Sequence, residues 1–176
     1  KVDIVSDIAC PWCAIGYARL EQAMQALVDE FRFEVEWHAF ELNPDPASPS
    51  RPILDVLVEK YGRSREEVDR IQAEMVELAT GLGLDFSGME ARHTPHTFDA
   101  HRLVKWAKEH DGQTAMKQAL FDTYFGRAGN IASHDTLIAC AEAAGLDGDG
   151  AREVLENGDF GDKVRDDEAR YQRAGV

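Results

Sequence analysis

The sequence predicts an α/β fold in which a short βαβ unit leads into a long series of helices. Two strand-like runs, Val2–Asp7 and Phe33–Phe40, flank a segment whose apolar residues have helical spacing. A loop at Asn43–Ser50, with three of the six prolines, then ends regular structure. From about residue 52 to 175 nearly the whole chain has a helical pattern. We therefore expect a small α/β unit with a large inserted helical domain.

Each element of the βαβ unit has its own signal in the sequence. Val2–Asp7 is short and rich in β-branched residues, and Phe33–Phe40 alternates with a period of two. Between them, residues 14 to about 30 are predicted as a helix. Its expected buried face is Ile15, Leu20, Met24, Leu27 and Val28. Such a unit implies a parallel strand pair, and a stable sheet needs more strands than these two.

The helices that follow have recognisable ends. Ile53–Tyr61 is stopped by Gly62, and Ser64 with Glu67 forms a capping box for a helix that ends near Gly81. Further helices are predicted at His96–His110, Gln113–Phe125, Ser133–Ala144, Ala151–Leu155 and Phe160–Arg173. We therefore divide the chain into residues 1–50, the first part of an α/β domain; 51–158, the inserted α-helical domain; and 159–176, a helix that returns to the α/β domain.

Composition excludes several partners. Acidic residues outnumber basic ones by 33 to 19, giving a formal charge of −14, which repels nucleic acids and anionic lipid surfaces. No apolar run approaches the roughly 20 residues that a membrane span requires. The chain opens directly on a strand without a signal peptide, so a cytoplasmic location is expected, although cleavage of a signal would leave the same start.

The strongest chemical signal is Cys10-Pro11-Trp12-Cys13, placed between a strand and a helix. Backbone N–H groups and the helix dipole at a helix start favour a thiolate on Cys10, the expected nucleophile. Cys13, one turn later, would resolve the mixed disulfide. Pro11 suits the first helical position, and Trp12 adds no charge. A zinc site would need a second pair of ligands, and His93 with His96 is unconvincing because Pro95 interrupts it, so no metal is expected.

Other residues have competing interpretations. Asp7 is a candidate proton acceptor for the resolving thiol, or else a solvated carboxylate at a strand end. His38 is expected to be a structural side chain, and Cys140 a small buried hydrophobe rather than a regulatory thiol. We expect surface or helix-end positions for His93, His96, His101 and His110. We expect core positions rather than a substrate groove for Trp106, Phe121, Tyr124 and Phe125.

Three segments carry a family resemblance: Asp7–Gly16 (DIACPWCAIG), Phe40–Pro44 (FELNP) and Thr97–Leu103 (TFDAHRL). Together they resemble FrnE-like members of the DsbA family, in order along essentially the whole chain. The resemblance implies a thioredoxin-like fold with an inserted helical domain and a Cys10/Cys13 oxidoreductase acting on protein dithiols and disulfides. It implies recycling by a redox partner of unknown identity, and it agrees with a cytoplasmic location. No cofactor is expected other than, in one alternative, glutathione.

The same fold includes 2-hydroxychromene-2-carboxylate isomerases and kappa-class glutathione transferases, which typically carry serine where Cys10 stands. A glutathione-dependent isomerase or transferase is therefore one alternative, and a chaperone-like binding module independent of both cysteines is another. The family pattern continues past the last helix into a Val-Pro strand with a cis proline that faces the cysteines. Nothing in this sequence corresponds to that strand, so we expect the C-terminal strands of the fold to be absent from residues 1–176.

Overall fold

The computed structural model describes residues 1–176 and begins with the predicted βαβ unit. Strand β1 (Val2–Ser6), helix α1 (Pro11–Ala26) and strand β2 (Val35–Ala39) follow in order. The strands pair in parallel, with Val2 opposite Val35 and Ser6 opposite Ala39. They form a two-stranded sheet. The α/β prediction is therefore confirmed.

Helix α1 differs from its prediction at both ends. It begins at Pro11 rather than residue 14, because proline has no N–H to leave unpaired in the first turn. It ends at Ala26, after which the Leu27 N–H bonds back to Met24. The expected inward positions of Leu27 and Val28 are wrong, since these side chains are 40% and 55% exposed.

The helical block has seven helices and one turn of π-helix. The helices are α2 (Ile53–Tyr61), α3 (Arg65–Gly81), α4 (Phe98–Lys108), α5 (Gln113–Phe121), α6 (His134–Ala143), α7 (Gly148–Asn157) and α8 (Gly161–Arg173). The π-helical turn, Asp122–Gly126, continues α5. The capping box is present, with the Ser64 hydroxyl accepting from the Glu67 N–H and the Glu67 carboxylate accepting from the Ser64 N–H. None of the helices combines the length and hydrophobicity needed to cross a membrane.

The core is organised around α4. Eight of its 11 residues are buried, because α5, α7, α8 and β2 pack around it. The predicted core aromatics, Trp106, Phe121, Tyr124 and Phe125, are all buried. Cys140 is also buried, as predicted, with its sulfur 3.2 Å from the Thr123 hydroxyl.

Side chains from the helical block satisfy the outer edge of β2. The Trp37 N–H donates to Oε1 of Gln113 at 3.0 Å, and Nε2 of Gln113 donates back to the Trp37 carbonyl at 3.0 Å. The Ala39 N–H donates to Asp167 at 2.9 Å. The Gln113 amide thus occupies the place of a neighbouring strand's peptide group. The division at residues 50/51 and 158/159 stays a prediction.

Candidate active site

Cys10 lies where β1 has ended and α1 begins. Its backbone is extended (φ −92°, ψ 108°), and Pro11 is the first helical residue. The N–H groups of Trp12 and Cys13 face the Cys10 sulfur. The strand positions the motif and proline starts the helix, so the local sequence explains the geometry expected for a reactive thiol.

The two thiols are free and hydrogen-bonded to each other, so they ionise as a pair. The hydrogen bond from Cys10 lowers the pKa of Cys13 to about 6, with further help from the Ser6 hydroxyl and the charge of Lys117. The same hydrogen bond raises the pKa of Cys10, and so does burial. The pair therefore loses its first proton more readily than a free thiol, and the role of Cys10 as the nucleophile stays a prediction.

Lys117 on α5 carries a charge that acts on Cys13, and sequence reasoning did not single it out. Its side chain is 0% exposed, and its ammonium group donates to the Ser6 carbonyl at 3.3 Å. It also lies over the rings of Trp37 and Phe121, at 5.3 and 5.4 Å. Burial lowers its pKa to about 8. The available signal was its position on the apolar face of α5, where a lysine is rarely buried without a role.

Asp7 and His101 form a buried pair behind the motif. Nε2 of His101 lies 3.3 Å from Oδ1 of Asp7 and 3.0 Å from the Phe40 carbonyl, so this nitrogen carries the proton. The other oxygen of Asp7 accepts from the Leu42 N–H at 2.8 Å. The expected surface position of His101 is wrong. It is 1% exposed because α4, which carries it, is the central helix of the core.

The charge of Asp7 is held by this pair. Burial alone would raise the pKa of Asp7, but the hydrogen bonds from His101 and the Leu42 N–H, together with the charge of Lys117, keep it below its usual value. Burial lowers the pKa of His101, so the imidazole is neutral at neutral pH. Asp7 faces Cys13 through its backbone N–H, while its carboxylate binds His101 and Leu42. The role of Asp7 as a proton acceptor stays a prediction.

A cavity of about 640 Å³ opens beside the motif. Its lining includes Ala9, Pro11 and Trp12, which flank Cys10, and Trp12 is 57% exposed. The lining also includes residues of α2, of α3 and of the segment around Arg92. Tyr124 is buried in the core, as predicted, but it also lines this cavity. For Tyr124 the expected choice between a core position and a groove position is therefore wrong, because it has both.

Comparisons with known proteins identify the family. The model of the DSBA-like thioredoxin domain matches residues 1–176. The chain belongs to the DSBA-like thioredoxin domain family. A probable DsbA oxidoreductase from Streptomyces coelicolor has a similar structure, with a TM-score of 0.91, 34% identity, and coverage of 99% of this chain and 75% of that chain. The uncharacterized protein YwbO of Bacillus subtilis (strain 168) is 28% identical over 164 residues, 93% of this chain and 76% of that protein.

Two buried glutamates of this DsbA-like protein, Glu41 after β2 and Glu168 on α8, share one arginine. One Arg165 nitrogen donates to Glu41 at 2.8 Å and to Glu168 at 2.6 Å, and the other oxygen of Glu168 has no partner. Burial and the charge of Glu168 raise the pKa of Glu41 to about 7. One arginine thus serves two buried carboxylates, and a proton on Glu41 relieves their repulsion.

His38 has the structural role predicted for it. Its two ring nitrogens lie 2.8 Å from Asp3 and 3.3 Å from Asp167. Asp3, Glu36 and His38 lie close enough together to resemble a metal site. Lys1 and Lys108 both form salt bridges with Glu36, however, so its carboxylate already has cationic partners. We interpret the group as an ion-pair network at the edge of the sheet.

Proposed function

We propose that this DsbA-like protein is a thiol–disulfide oxidoreductase that acts on protein dithiols and disulfides through Cys10 and Cys13. The observation that carries the proposal is the pair of hydrogen-bonded thiols, one turn apart at the start of α1, with a lowered pKa of about 6 on Cys13. The three segments that resemble FrnE-like proteins support placement in that branch. A redox partner would recycle the pair.

The chemistry runs through two exchange steps. The Cys10 thiolate attacks one sulfur of a substrate disulfide, forming a mixed disulfide and releasing one substrate thiol, which takes up a proton. Because the two sulfurs share one proton, transfer of that proton to Cys13 supplies the Cys10 thiolate. Cys13 then gives up that proton, its thiolate attacks the Cys10 sulfur, and the departing second substrate sulfur takes up the proton and leaves as a thiol. The protein is left oxidised, with a Cys10–Cys13 disulfide, and the substrate has gained two electrons. Oxidation of a substrate dithiol is the reverse sequence.

The test is disulfide reduction of insulin with dithiothreitol as the electron source, followed by turbidity. We expect Cys10→Ser to abolish the catalysed rate and Cys13→Ala to trap Cys10 in a mixed disulfide detectable by mass spectrometry. Cys140→Ser is the matched control, because Cys140 is buried away from the motif and should leave the rate unchanged. Full activity of Cys10→Ser would contradict the proposal, and glutathione-dependent turnover that survives Cys13→Ala would favour the transferase alternative.

A further inference from the structure

Arg92 is a buried cation without an anionic partner. Its side chain lines the cavity beside the redox motif, yet the residue is only 3% exposed. Its Nε donates to the Met89 carbonyl at 2.9 Å and one terminal nitrogen to Gln72 at 3.4 Å. Both partners are neutral, and no carboxylate lies within ion-pair distance of the guanidinium. Buried charges in proteins are normally paired, so an anion that enters the cavity could pair with this guanidinium.

Aromatic rings hold the Arg92 guanidinium in place. It lies 5.0 Å from the ring centre of Tyr124 and 4.9 Å from that of Phe125. Gln72 on α3 is itself buried and lines the cavity too. The guanidinium is therefore fixed before any ligand arrives, and a preformed donor loses little entropy when it binds a carboxylate.

The rest of the cavity has two further properties that restrict its ligand. Its wall is apolar along α3, where Ile71 and Met75 line it, while Lys60 and Arg63 add positive charge. This concentration of cations lies in a protein with a net charge of −14. The one carboxylate in the lining, Asp7, is already bound by His101 and Leu42. An occupant with both an aliphatic group and a carboxylate complements these surfaces, and a volume of about 640 Å³ suits a few amino acid residues.

We propose that this cavity binds a peptide segment of the substrate protein in which an acidic side chain, near the reactive cysteine, pairs with Arg92 while an aliphatic side chain contacts the α3 wall. The inference rests on the proposed oxidoreductase function, because the cavity begins at the residues that flank Cys10. Gln72 is a positioning residue in this account, since it acts through Arg92.

Binding is measured without any redox chemistry. Two fluorescein-labelled peptides carry the same leucine-rich sequence with serine in place of cysteine, and they differ only in glutamate against glutamine. Their affinity for the reduced protein is determined by fluorescence anisotropy at neutral pH. We expect the glutamate peptide to bind on the order of tenfold more tightly, as for a hydrogen bond to a charged group. Equal affinities would overturn the inference.

Variants show whether Arg92 is responsible. Arg92→Gln should remove the preference for glutamate. Gln72→Glu keeps the arginine but places a carboxylate beside it, so it should remove the preference as well, and this second variant decides the matter if Arg92→Gln fails to fold. Arg32→Gln is the control, because Arg32 is exposed and does not line the cavity. A preference retained in Gln72→Glu, or lost in Arg32→Gln, would overturn the assignment.

The test separates this inference from the proposed function. The same two peptides with paired cysteines report turnover. Turnover without a glutamate preference would leave the oxidoreductase proposal standing and overturn the Arg92 site. A glutamate preference that depends on Arg92 but comes without turnover of either peptide would support the binding site and contradict the redox function.

Discussion

The ammonium group of Lys117 lies close enough to the redox pair for its charge to lower the pKa of Cys13. The helical block contributes this lysine, while the start of α1 contributes both cysteines. A cation near a thiol favours the charged form and so stabilises the reduced, ionised pair. The inserted helices therefore act on the chemistry as well as on the packing.

We expect Lys117→Met to raise the pKa of the first thiol ionisation by about one unit, since one nearby buried charge is removed. In the unchanged protein that ionisation should have a midpoint near pH 6, so the thiolate is present above this pH and is lost by protonation below it. Ultraviolet absorbance of the thiolate during a pH titration measures both values. Lys105→Met is the control, because this buried lysine pairs with Asp167 instead. An unchanged midpoint in Lys117→Met would contradict the role given to the lysine.

Single residues also show what sequence reasoning can reach. Cys10 and Cys13 were predictable because their spacing, Pro11 and the strand–helix context are local. Lys117 and His101 were not, because burial of a polar residue is decided by which helix becomes the centre of the core. The pairing of His101 with Asp7 joins residues 94 positions apart, a distance that no local pattern records.

The π-helical turn after α5 packs closely against the backbone of Gly88. The Gly88 N–H donates to the Phe125 carbonyl at 2.9 Å. A Cβ at Gly88 would lie 2.5 Å from the Ala128 nitrogen and 2.9 Å from the Gly126 carbonyl oxygen. These are backbone atoms, which cannot turn aside as a side chain does. The close approach therefore requires glycine.

Gly88→Ala should destabilise the protein by about 1–3 kcal/mol, in the range of overpacked cores. Thermal unfolding followed by circular dichroism would show this as a lower Tm. The same substitution at Gly16 is the control, because Gly16 lies within α1 and a Cβ there meets nothing within 4 Å. Gly16→Ala should stabilise by up to about 1 kcal/mol through helix propensity. A higher Tm for Gly88→Ala would show that the close approach is not required.

The sequence predicted which segments are helices, and it predicted their ends only where a local signal marks them. The capping box at Ser64 and the stop at Gly62, in the left-handed conformation with φ 61°, are local signals and both are present. The π-helical turn was predicted as ordinary helix because its apolar spacing continues that of α5. Its Phe125 carbonyl accepts from the Gly88 N–H of a distant loop, a contact that the local apolar spacing does not show.

The whole molecule is held together where the helical block covers the edge of β2. Gln113, on α5, pairs with the Trp37 peptide groups as a neighbouring strand would, and the two residues are 76 positions apart in the sequence. Side chains from helices thus satisfy the outer edge of β2. The parallel pair was predictable from the βαβ pattern, but this side-chain edge was not, since a glutamine at the start of a helix usually faces solvent.

Gln113→Leu should lower the free energy of unfolding by about 1–3 kcal/mol, because the Trp37 N–H loses its partner while remaining buried. The Trp37 carbonyl keeps only the longer hydrogen bond from Nζ of Lys105, at 3.4 Å. Urea unfolding measured by tryptophan fluorescence gives the value. Gln118→Leu, the same change on the same helix, is the control, since the one hydrogen bond of Gln118 is with the exposed Glu21. A loss no larger than that of the control would show that Gln113 does not join the two parts.

The most direct measurement for the redox account is equilibrium of the protein with dithiothreitol or glutathione buffers, followed by alkylation and mass spectrometry. We predict one two-electron transition between the dithiol and a Cys10–Cys13 disulfide, with Cys140 unaffected. Because the lowered pKa of Cys13, about 6, stabilises the reduced form, the potential should lie above the value of about −270 mV for thioredoxin. If no Cys10–Cys13 disulfide forms at any redox potential of the buffer, the proposed oxidoreductase function is contradicted.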